Sequence, residues 1–457
     1  MPKQIFLSFL GTNEYVSCNY YPEGDEERMI EDVKYVQEAT IRLFCNDFTG
    51  DDLYCFFLTE KARVVNWNDN GWRTQEAKEP NKGLYSRLQE MGLPTSCIKT
   101  VDIPDGFSSD DIWEIFEKMF KELSEGDKVY FDITHAFRFI PMLGYSLLNY
   151  AKALKNVEVC GIYYGAFEKL GPAWKVNEMP MQKRNAPILN LLSLAELQDW
   201  TAAASDFVNY GMTEKLVQMT RHRIRPVLRE TKGADEDASK LRQISDILQK
   251  MTLAFATNRG RQIFEELQFD KLKSLLQDFS LTSSNFIKPL NAIIKRLGEE
   301  IKGFASNDPL HWLKSAAWCE KYGMYQQGFT QLQEGILTYL CLYFKQKYQD
   351  DFYDWKEKEP RDLISAAINL VRKGEDEWKF ASPEAKERVK RQLIRDKMIH
   401  ALEETYKDLT NLRNDINHGG YTQNTKSAKF QKRLGEYIRE VEKIVTAEID
   451  SESLENP

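Results

Sequence analysis

The stretch KVYFDITHAFR, Lys128 to Arg138, decides the fold class of the first part of the chain. A short apolar run of strand length ends at Asp132, and a Thr-His pair follows it. The next residues, IPMLGYSLLNYAKALK (140–155), have the periodicity of a helix. A strand followed directly by a helix is the repeating unit of a parallel α/β sheet.

The same alternation extends from the start of the chain to about residue 170. Further runs of strand length are KQIFLSFL (3–10), DDLYCFFLT (51–59), CIKTVDI (97–103) and VEVCGIYYG (157–165). Helical patterns lie between them, in MIEDVKYVQEATIRLF (29–44) and DDIWEIFEKMFKEL (110–123). The pattern predicts a mostly parallel sheet with helices on both faces.

Beyond residue 170 the strand signals stop. Three prolines, Pro172, Pro180 and Pro187, predict a linker over about residues 170–187. The remainder has helical periodicity, with breaks at TKGADED (231–237) and GFASNDPL (303–310). The second half is therefore predicted to be all-α.

Length and composition limit the classes of protein that are possible. A chain of 457 residues is long enough for two or more domains, and 42% hydrophobic with 29% charged residues is typical of globular proteins. No window approaches the roughly 20 apolar residues of a membrane helix, so a cytoplasmic protein without membrane contact is predicted. Seven scattered cysteines without a CxxC pair give no indication of a metal site.

The net charge of −8 argues against a surface that binds nucleic acid everywhere. Any contact with nucleic acid must therefore be local. One compact basic stretch exists, RHRIRPVLRE at residues 221–230. It is interpreted as a solvated helix face or the lip of an RNA groove.

Polar residues follow several predicted strands, where open α/β sheets bind ligands. Glycine lets a ligand approach the backbone, and Thr and Asn offer donors for phosphates or base edges. A dinucleotide or P-loop site is not expected, because neither GxGxxG after the first strand nor GxxxxGK[ST] is present. Alternatively, Thr134 caps the next helix and His135 is a buried imidazole. The residues expected at this crevice are Gly11, Thr12, Asn13, Thr59, Thr134, His135, Arg138, Gly165 and Ala166.

A second candidate site is RNDINHGG, Arg413 to Gly420. Gly419 and Gly420 supply the left-handed positions that end a helix. A histidine can shuttle a proton and an arginine can stabilise a pentacovalent phosphate, which suits metal-independent RNA cleavage by the substrate's own 2′-OH. Alternatively, Arg413 pairs with Asp415 to stabilise the helix end and His418 is a cap.

The spacing of Arg413 and His418 is not informative by itself. Arg395 and His400, in RDKMIHALEETYKDL, have the same spacing and are predicted to lie on a solvated, uninterrupted helix. Residues five apart on a helix point about 140° away from each other. Two chains paired about a two-fold axis would solve this problem, because each would contribute one Arg413 and one His418 to a shared cleft.

Four segments together resemble the CARF-HEPN ribonucleases of type III CRISPR systems. They are SFLGTNEY (8–15), DITHAFR (132–138), YYGAFE (163–168) and RNDINHGG (413–420). The resemblance implies a Rossmann-like CARF domain at residues 1–180 and an all-α HEPN domain at 188–457, with a helical insertion around 220–305.

The resemblance also implies a homodimer or higher oligomer that binds a cyclic oligoadenylate as allosteric activator, with tetraadenylate the expected ring, and no other cofactor. Its HEPN site would cut single-stranded RNA through Arg413 and His418, with Asn414, Asp415 and Asn417 as neighbours that orient them. Some CARF domains also cleave their ligand, and the sequence leaves this open here.

Two other functions stay open on the sequence. One is a non-enzymatic nucleotide sensor whose helical half binds a partner or nucleic acid. The other is a metal-dependent nuclease, which would need clustered carboxylates at a strand end, and the helical half has no strands to carry them.

Overall fold

The computed structural model describes residues 2–72, 81–135, 139–282, 290–380, 382–421 and 423–455. The chain divides into two compact units, Met1–Gln198 and Asp199–Pro457. The division falls inside a helix that runs from Leu192 to Tyr210. Within the described ranges, no helix combines the length and the apolar character needed to cross a membrane.

In the described part of the first unit, eight strands form one sheet. They are β1 (Gln4–Phe9), β2 (Cys18–Pro22), β3 (Ile30–Val33), β4 (Leu53–Leu58), β5 (Ile98–Asp102), β6 (Lys128–Asp132), β7 (Glu158–Gly165) and β8 (Asn185–Asn190). Their spatial order is β3-β2-β8-β7-β6-β1-β4-β5. Only the β2–β3 and β7–β8 pairs of this sheet are antiparallel. The predicted mostly parallel sheet is confirmed.

Helices cover both faces of this sheet. They are α1 (Val36–Phe44), α2 (Glu60–Ala62), α3 (Leu84–Glu90), α4 (Ser109–Glu122), α5 (Ile140–Lys155) and α6 (Ala173–Asn177). Successive side chains of β1 point to opposite faces, as the period of two requires. Leu7 and Phe9 belong to a core that includes residues of α4 and α5, whereas Phe6 belongs to a core that includes Leu84 and Leu88 of α3.

The predicted linker at residues 170–187 is wrong. The segment contains α6 and the start of β8, which lies inside the sheet between β2 and β7. Pro187 has no amide hydrogen, yet its carbonyl oxygen accepts a hydrogen bond from the Ala166 amide at 2.9 Å. An inner strand can therefore contain a proline at this position, because only the carbonyl oxygen of Pro187 is needed for pairing. The proline does not mark the end of the domain.

The predicted helix over MIEDVKYVQEATIRLF is wrong in its first part. Ile30–Val33 forms β3, an antiparallel partner of β2, and α1 begins only at Val36. Four residues are too few for the alternation of a strand to be distinguished from the periodicity of the helix that follows. The strand β2 was also missed, because its sequence CNYYP contains both Asn and Pro.

The described residues of the second unit form helices and no strand, which confirms its predicted class. After α7 (Leu192–Tyr210), the helices are α8 (Glu214–Glu230), α9 (Glu236–Ala256), α10 (Gly260–Glu265), α11 (Phe269–Thr282), α12 (Leu290–Ile301), α13 (His311–Lys321), α14 (Tyr325–Tyr348), α15 (Lys358–Leu370), α16 (Pro383–Arg388), α17 (Lys397–Asn417) and α18 (Ser427–Glu455). The two predicted breaks fall between α8 and α9 and between α12 and α13.

The second unit contains two apolar cores that meet at α13. One core draws on α7 to α12, and the other draws on α14 to α18. Trp318 and Cys319 of α13 belong to the first core, and Trp312 and Ala316 belong to the second. The helix α13 therefore contributes buried residues to both cores.

Candidate ligand-binding and active sites

A cavity of about 550 Å³ lies at the carboxyl ends of the strands, where the sequence predicted a ligand site. Six of the nine residues expected there line it, namely Gly11, Thr12, Asn13, Thr59, Thr134 and His135. Gly165 and Ala166 are not among the lining residues, although the Gly165 amide donates to the Thr134 hydroxyl at 2.8 Å. Arg138 lies outside the described residues. The topology thus brings the predicted residues that follow β1, β4 and β6 to one cavity.

Asp132, the last residue of β6, is fully buried behind the cavity. Its carboxylate accepts hydrogen bonds from the Ser8 hydroxyl at 2.8 Å, the Thr134 hydroxyl at 2.6 Å and the Thr134 amide at 3.1 Å. Burial raises the pKa of Asp132, and these hydrogen bonds oppose the rise. The carboxylate therefore fixes the turn that carries Thr134 to the edge of the cavity.

His135 presents a neutral imidazole to the cavity. Its ring packs edge-on against the Tyr15 ring, with centroids 4.3 Å apart and planes at 81°. Burial lowers the pKa of His135 to about 3. Its Nε2 atom is buried and has no hydrogen-bond partner among the described residues. A neutral imidazole can bond an uncharged base edge, but it offers no positive charge to a phosphate.

The Asn66 side chain holds the loop that follows β1. The sequence did not predict a role for this residue. The side chain is fully buried, and its Nδ2 donates to the carbonyl oxygens of Gly11 at 2.9 Å and Asn13 at 2.8 Å. Its Oδ1 has no partner among the described residues. A π-helical turn, Arg63–Trp67, places this residue under the loop. The pattern RVVNW carries no signal for such a turn.

Two further polar side chains belong to this region. Gln37 is buried and donates to the Phe9 carbonyl at 3.0 Å, while its Oε1 lacks a partner in the described part of the chain. Lys34 is half-buried, lines the cavity and donates to Asn81. Burial lowers the pKa of Lys34. Within the described ranges, no three His, Cys, Asp or Glu side chains are placed to hold a metal ion.

The second candidate site is the C-terminal end of α17. The helix ends at Asn417, and the His418 amide donates to the Asn414 carbonyl at 2.9 Å. Gly419 and Gly420 follow with φ of +64° and +74°, which confirms that the glycines end the helix. The Gly420 amide donates to the Asp415 carbonyl at 3.1 Å and closes the turn.

The side chains of this helix end face different surroundings. Asp415 is buried and accepts from the Thr425 amide at 3.0 Å. Arg413 is half-buried and donates weakly to Asn414 Oδ1 at 3.4 Å, and the described residues give it no carboxylate partner. The alternative in which Arg413 pairs with Asp415 is therefore not what the structure contains. Asn417 accepts from Gln326 at 3.1 Å, and His418 is exposed.

The segment RDKMIH is arranged differently, although its spacing is the same. Asp396 accepts from the Met398 amide at 2.8 Å and caps α17, so Arg395 precedes the helix and His400 lies in its first turn. The expected uninterrupted helix through Arg395 is thus wrong. Both Arg395 and His400 are exposed, as predicted.

Comparisons with known proteins bear on the first unit and on part of the second. Residues 5–168 match the family model described as CRISPR system endoribonuclease Csx1, CARF domain. Residues 196–305 match the model described as CRISPR-associated protein MJ1674, second domain. Residues beyond 305, including RNDINHGG, lie outside both matches.

Two individual proteins are similar to this chain. The CRISPR-associated protein MJ1674 of Methanocaldococcus jannaschii is 25% identical over 299 residues, which are 64% of this chain and 42% of the relative. The matched part thus spans less than half of that relative's length. A solved structure of Enterococcus italicus Csm6, bound to cyclic hexa-2′-fluoro-hexa-dAMP, covers 97% of this chain and 94% of its own, with 13% identity and a TM-score of 0.46.

The sheet and the family matches together define the class of protein: an N-terminal CARF domain with a helical C-terminal half. More particularly, residues 5–168 match the CARF model of a CRISPR system endoribonuclease, and the chain is similar to the CRISPR-associated protein MJ1674. The resemblance found in the sequence is confirmed to this extent.

Proposed function

We propose that this chain is a ribonuclease activated by a cyclic oligoadenylate, with its sensor in the sheet cavity and its catalytic group at the end of α17. One observation carries the proposal. Seven buried side-chain nitrogen or oxygen atoms lack a hydrogen-bond partner in the described residues, and five of them lie at these two places or directly beside them. The five are Gln37 Oε1, Asn66 Oδ1, His135 Nε2, Arg413 Nε and Asp415 Oδ1. Buried polar atoms are normally paired, so such clusters mark places that a ligand, substrate or water completes.

The chemistry of the cavity suits a nucleotide that is recognised through its bases. His135 is neutral, and the backbone of the loop Gly11–Asn13 is held in place by Asn66. Lys34 is a basic side chain in the lining, and Glu14 and Glu168 are acidic lining residues. Hydrogen bonds to base edges therefore contribute more than attraction of phosphates. A cyclic tetraadenylate on a two-fold axis would meet each of these groups twice, once from each chain of a homodimer.

At the helix end, His418 would transfer protons while Arg413 stabilises charge. The RNA 2′-oxygen loses its proton and bonds to the adjacent phosphorus, and the bond from phosphorus to the 5′-oxygen breaks as that oxygen gains a proton. The products are a 2′,3′-cyclic phosphate and a free 5′-hydroxyl. This chemistry needs no metal.

The surroundings of the two residues support these roles. Asp415 anchors the backbone after the turn through the Thr425 amide, and Gln326 holds Asn417. His418, Gly419, Gly420 and Tyr421 are exposed, so RNA can approach the helix end. The matched family model is described as part of an endoribonuclease, which supports the same activity for this chain.

The decisive experiment measures cleavage of a fluorogenic single-stranded RNA in EDTA, with and without cyclic tetraadenylate or cyclic hexaadenylate. We expect cleavage that depends on one of the rings and leaves cyclic phosphate ends. Activity only after Mg²⁺ or Mn²⁺ is added would contradict the metal-independent chemistry. Tight binding of a ring without cleavage under any condition would support the alternative of a non-enzymatic sensor.

A further inference from the structure

The outward face of α8 carries a stripe of basic and amide side chains. Its members follow one another at intervals of three and four residues, so they lie on one face of the helix. They are Lys215, Gln218, His222, Arg225 and Arg229, and all five are exposed. The buried residues of α8 lie on the opposite side and include Leu216, Thr220 and Ile224. The helix thus packs by one face and presents these five side chains by the other.

The cations of this α8 stripe are not used in ion pairs. In the part of the chain that the structure describes, Lys215, Arg225 and Arg229 have no carboxylate partner. Arg221 on the same helix differs, because it bonds Asp246 at 2.9 Å and Gln249 at 2.7 Å. Unpaired cations aligned along a helix are notable in a chain whose net charge is −8. Their charge is available to an anionic partner.

We propose that the α8 stripe binds the sugar-phosphate backbone of the single-stranded RNA substrate. This proposal rests on the proposed function and adds to it the place where the RNA is held. The stripe spans fifteen residues of helix, and the fourteen steps between its ends cover about 21 Å at 1.5 Å each, which matches a run of several nucleotides. Gln218 and His222 lie between Lys215 and Arg225 and offer hydrogen bonds to phosphates and 2′-hydroxyls.

A single strand fits this surface better than a duplex does. The stripe is one side chain wide, and Glu214 and Glu230 lie at its two ends on the same helix. Carboxylates at both ends restrict the anion to the middle of the helix. A duplex would place a second row of phosphates beside the first, where the helix offers no second row of unpaired cations. The match of residues 196–305 to the second-domain model includes α8, so the proposal also gives that domain a role.

The test measures RNA binding by the full chain carrying His418→Ala, so that the substrate stays intact. A triple variant, Lys215→Gln with Arg225→Gln and Arg229→Gln, is compared with a control that removes the same charge elsewhere. Lys250, Lys302 and Arg395 suit the control, since they are exposed and have no ion-pair partner in the described ranges. Fluorescence anisotropy of a labelled, unstructured RNA is recorded over a range of salt concentrations.

Each phosphate contact contributes about 0.7 to the slope of log K against log salt for a single strand. The triple variant should therefore lose about 2 in slope and about tenfold or more in affinity at moderate salt, whereas the control should lose much less. A thermal unfolding curve like that of the His418→Ala parent shows that the triple variant is folded. Equal losses in both variants, or no loss in the triple variant, would overturn the proposal.

Catalysis distinguishes this proposal from the proposed function. With His418 intact, the triple variant should raise KM for RNA and leave kcat unchanged. If wild-type chain binds RNA through the stripe but never cleaves it, the ribonuclease assignment fails and the stripe stands. If cleavage proceeds with an unaltered KM in the triple variant, the stripe fails and the ribonuclease assignment stands. If duplex RNA competes for the stripe as well as the single strand does, the proposed preference for single-stranded RNA is wrong.

Discussion

The sheet cavity and the end of α17 differ in how much of a site one chain supplies. In the cavity, residues from three strand ends face the same space, and Asn66 holds the loop Gly11–Asn13 by two hydrogen bonds. At the helix end, His418 is exposed, and Arg413 lies five positions earlier on the helix. The parallel sheet thus brings the residues of its candidate site to one cavity within one unit, whereas the end of α17 places its two candidate groups five residues apart on one helix. If the proposed function is right, one chain already supplies half of the ring's contacts in a formed cavity, whereas the helix end depends on a partner chain for its reactive geometry.

The largest expected effect is at the helix end. His418→Ala should reduce RNA cleavage by about two to four orders of magnitude, because it removes the proton transfer. His400→Ala is the matched control, since His400 is an exposed histidine on the same helix. It should leave cleavage unchanged in the assay with EDTA and activator. If both variants behave alike, the two ends of α17 do not differ in function.

The next effect concerns the loop at the cavity. Asn66→Asp places a carboxylate opposite the carbonyl oxygens of Gly11 and Asn13, so both hydrogen bonds are lost and repulsion replaces them. The affinity for cyclic oligoadenylate should fall by about 10- to 100-fold, from the cost of leaving buried groups unpaired. Isothermal titration measures the affinity, and cleavage at saturating activator should be largely restored.

Asn149→Asp provides the control for this substitution. Asn149 also donates twice through its Nδ2, to the Tyr145 carbonyl at 3.0 Å and to Gln198 at 2.7 Å, but it lies on α5 and does not line the cavity. The affinity of the Asn149→Asp variant for the cyclic oligoadenylate should equal that of wild type. A similar loss in both variants would show that Asn66 acts on the stability of the unit and has no particular effect on the loop.

The sequence predicted which residues meet at the cavity because their convergence follows from the topology of a parallel sheet. Parallel strands bring their carboxyl ends to one edge, so Thr59 and Thr134 could be placed together without knowledge of any contact. Asn66 could not be predicted in this way. Its position depends on a π-helical turn, and its role depends on two backbone carbonyls of a distant loop. Such a residue is identified only when the fold is known.

For the fold as well, segments with a distinctive sequence pattern were predicted and segments without one were not. Long apolar runs such as those of β4 and β7 were predicted, because burial on both faces requires them. β3 has only four residues, and β8 contains Pro187, so neither has a distinctive pattern. The two cores of the helical unit were also not predicted. Periodicity identifies the apolar face of each helix, but it does not identify the helix that faces it.

A smaller effect concerns the titration of His135. Its pKa is lowered to about 3 by burial, so the folded chain stays neutral there while the unfolded chain takes up a proton below its ordinary pKa of 6.5. Stability should therefore fall as the pH decreases below 6.5, by up to about 1.4 kcal/mol per pH unit. His135→Gln should remove this part of the pH dependence. Asp132, whose pKa is raised, contributes in the opposite direction.

Urea unfolding at a series of pH values measures the dependence, and the difference between wild type and His135→Gln isolates the histidine. His400→Gln serves as the control, because His400 is an exposed histidine that does not line the cavity. Identical curves for wild type and His135→Gln would mean that the imidazole is solvated. The cavity would then recognise its ligand with a histidine that titrates near neutral pH.

The smallest effect separates the shape of the helix end from its chemistry. Gly419 has φ of +64°, where alanine costs about 1–2 kcal/mol. Gly298 lies inside α12, and a Cβ added there meets no atom within 4 Å. Gly419→Ala should therefore destabilise the unit, whereas Gly298→Ala should stabilise it by up to about 1 kcal/mol, as thermal unfolding would show. If Gly419→Ala also lowers cleavage far more than it lowers stability, the turn positions His418 for reaction. If cleavage follows stability, the glycines only end the helix, and the turn has no separate role in positioning His418.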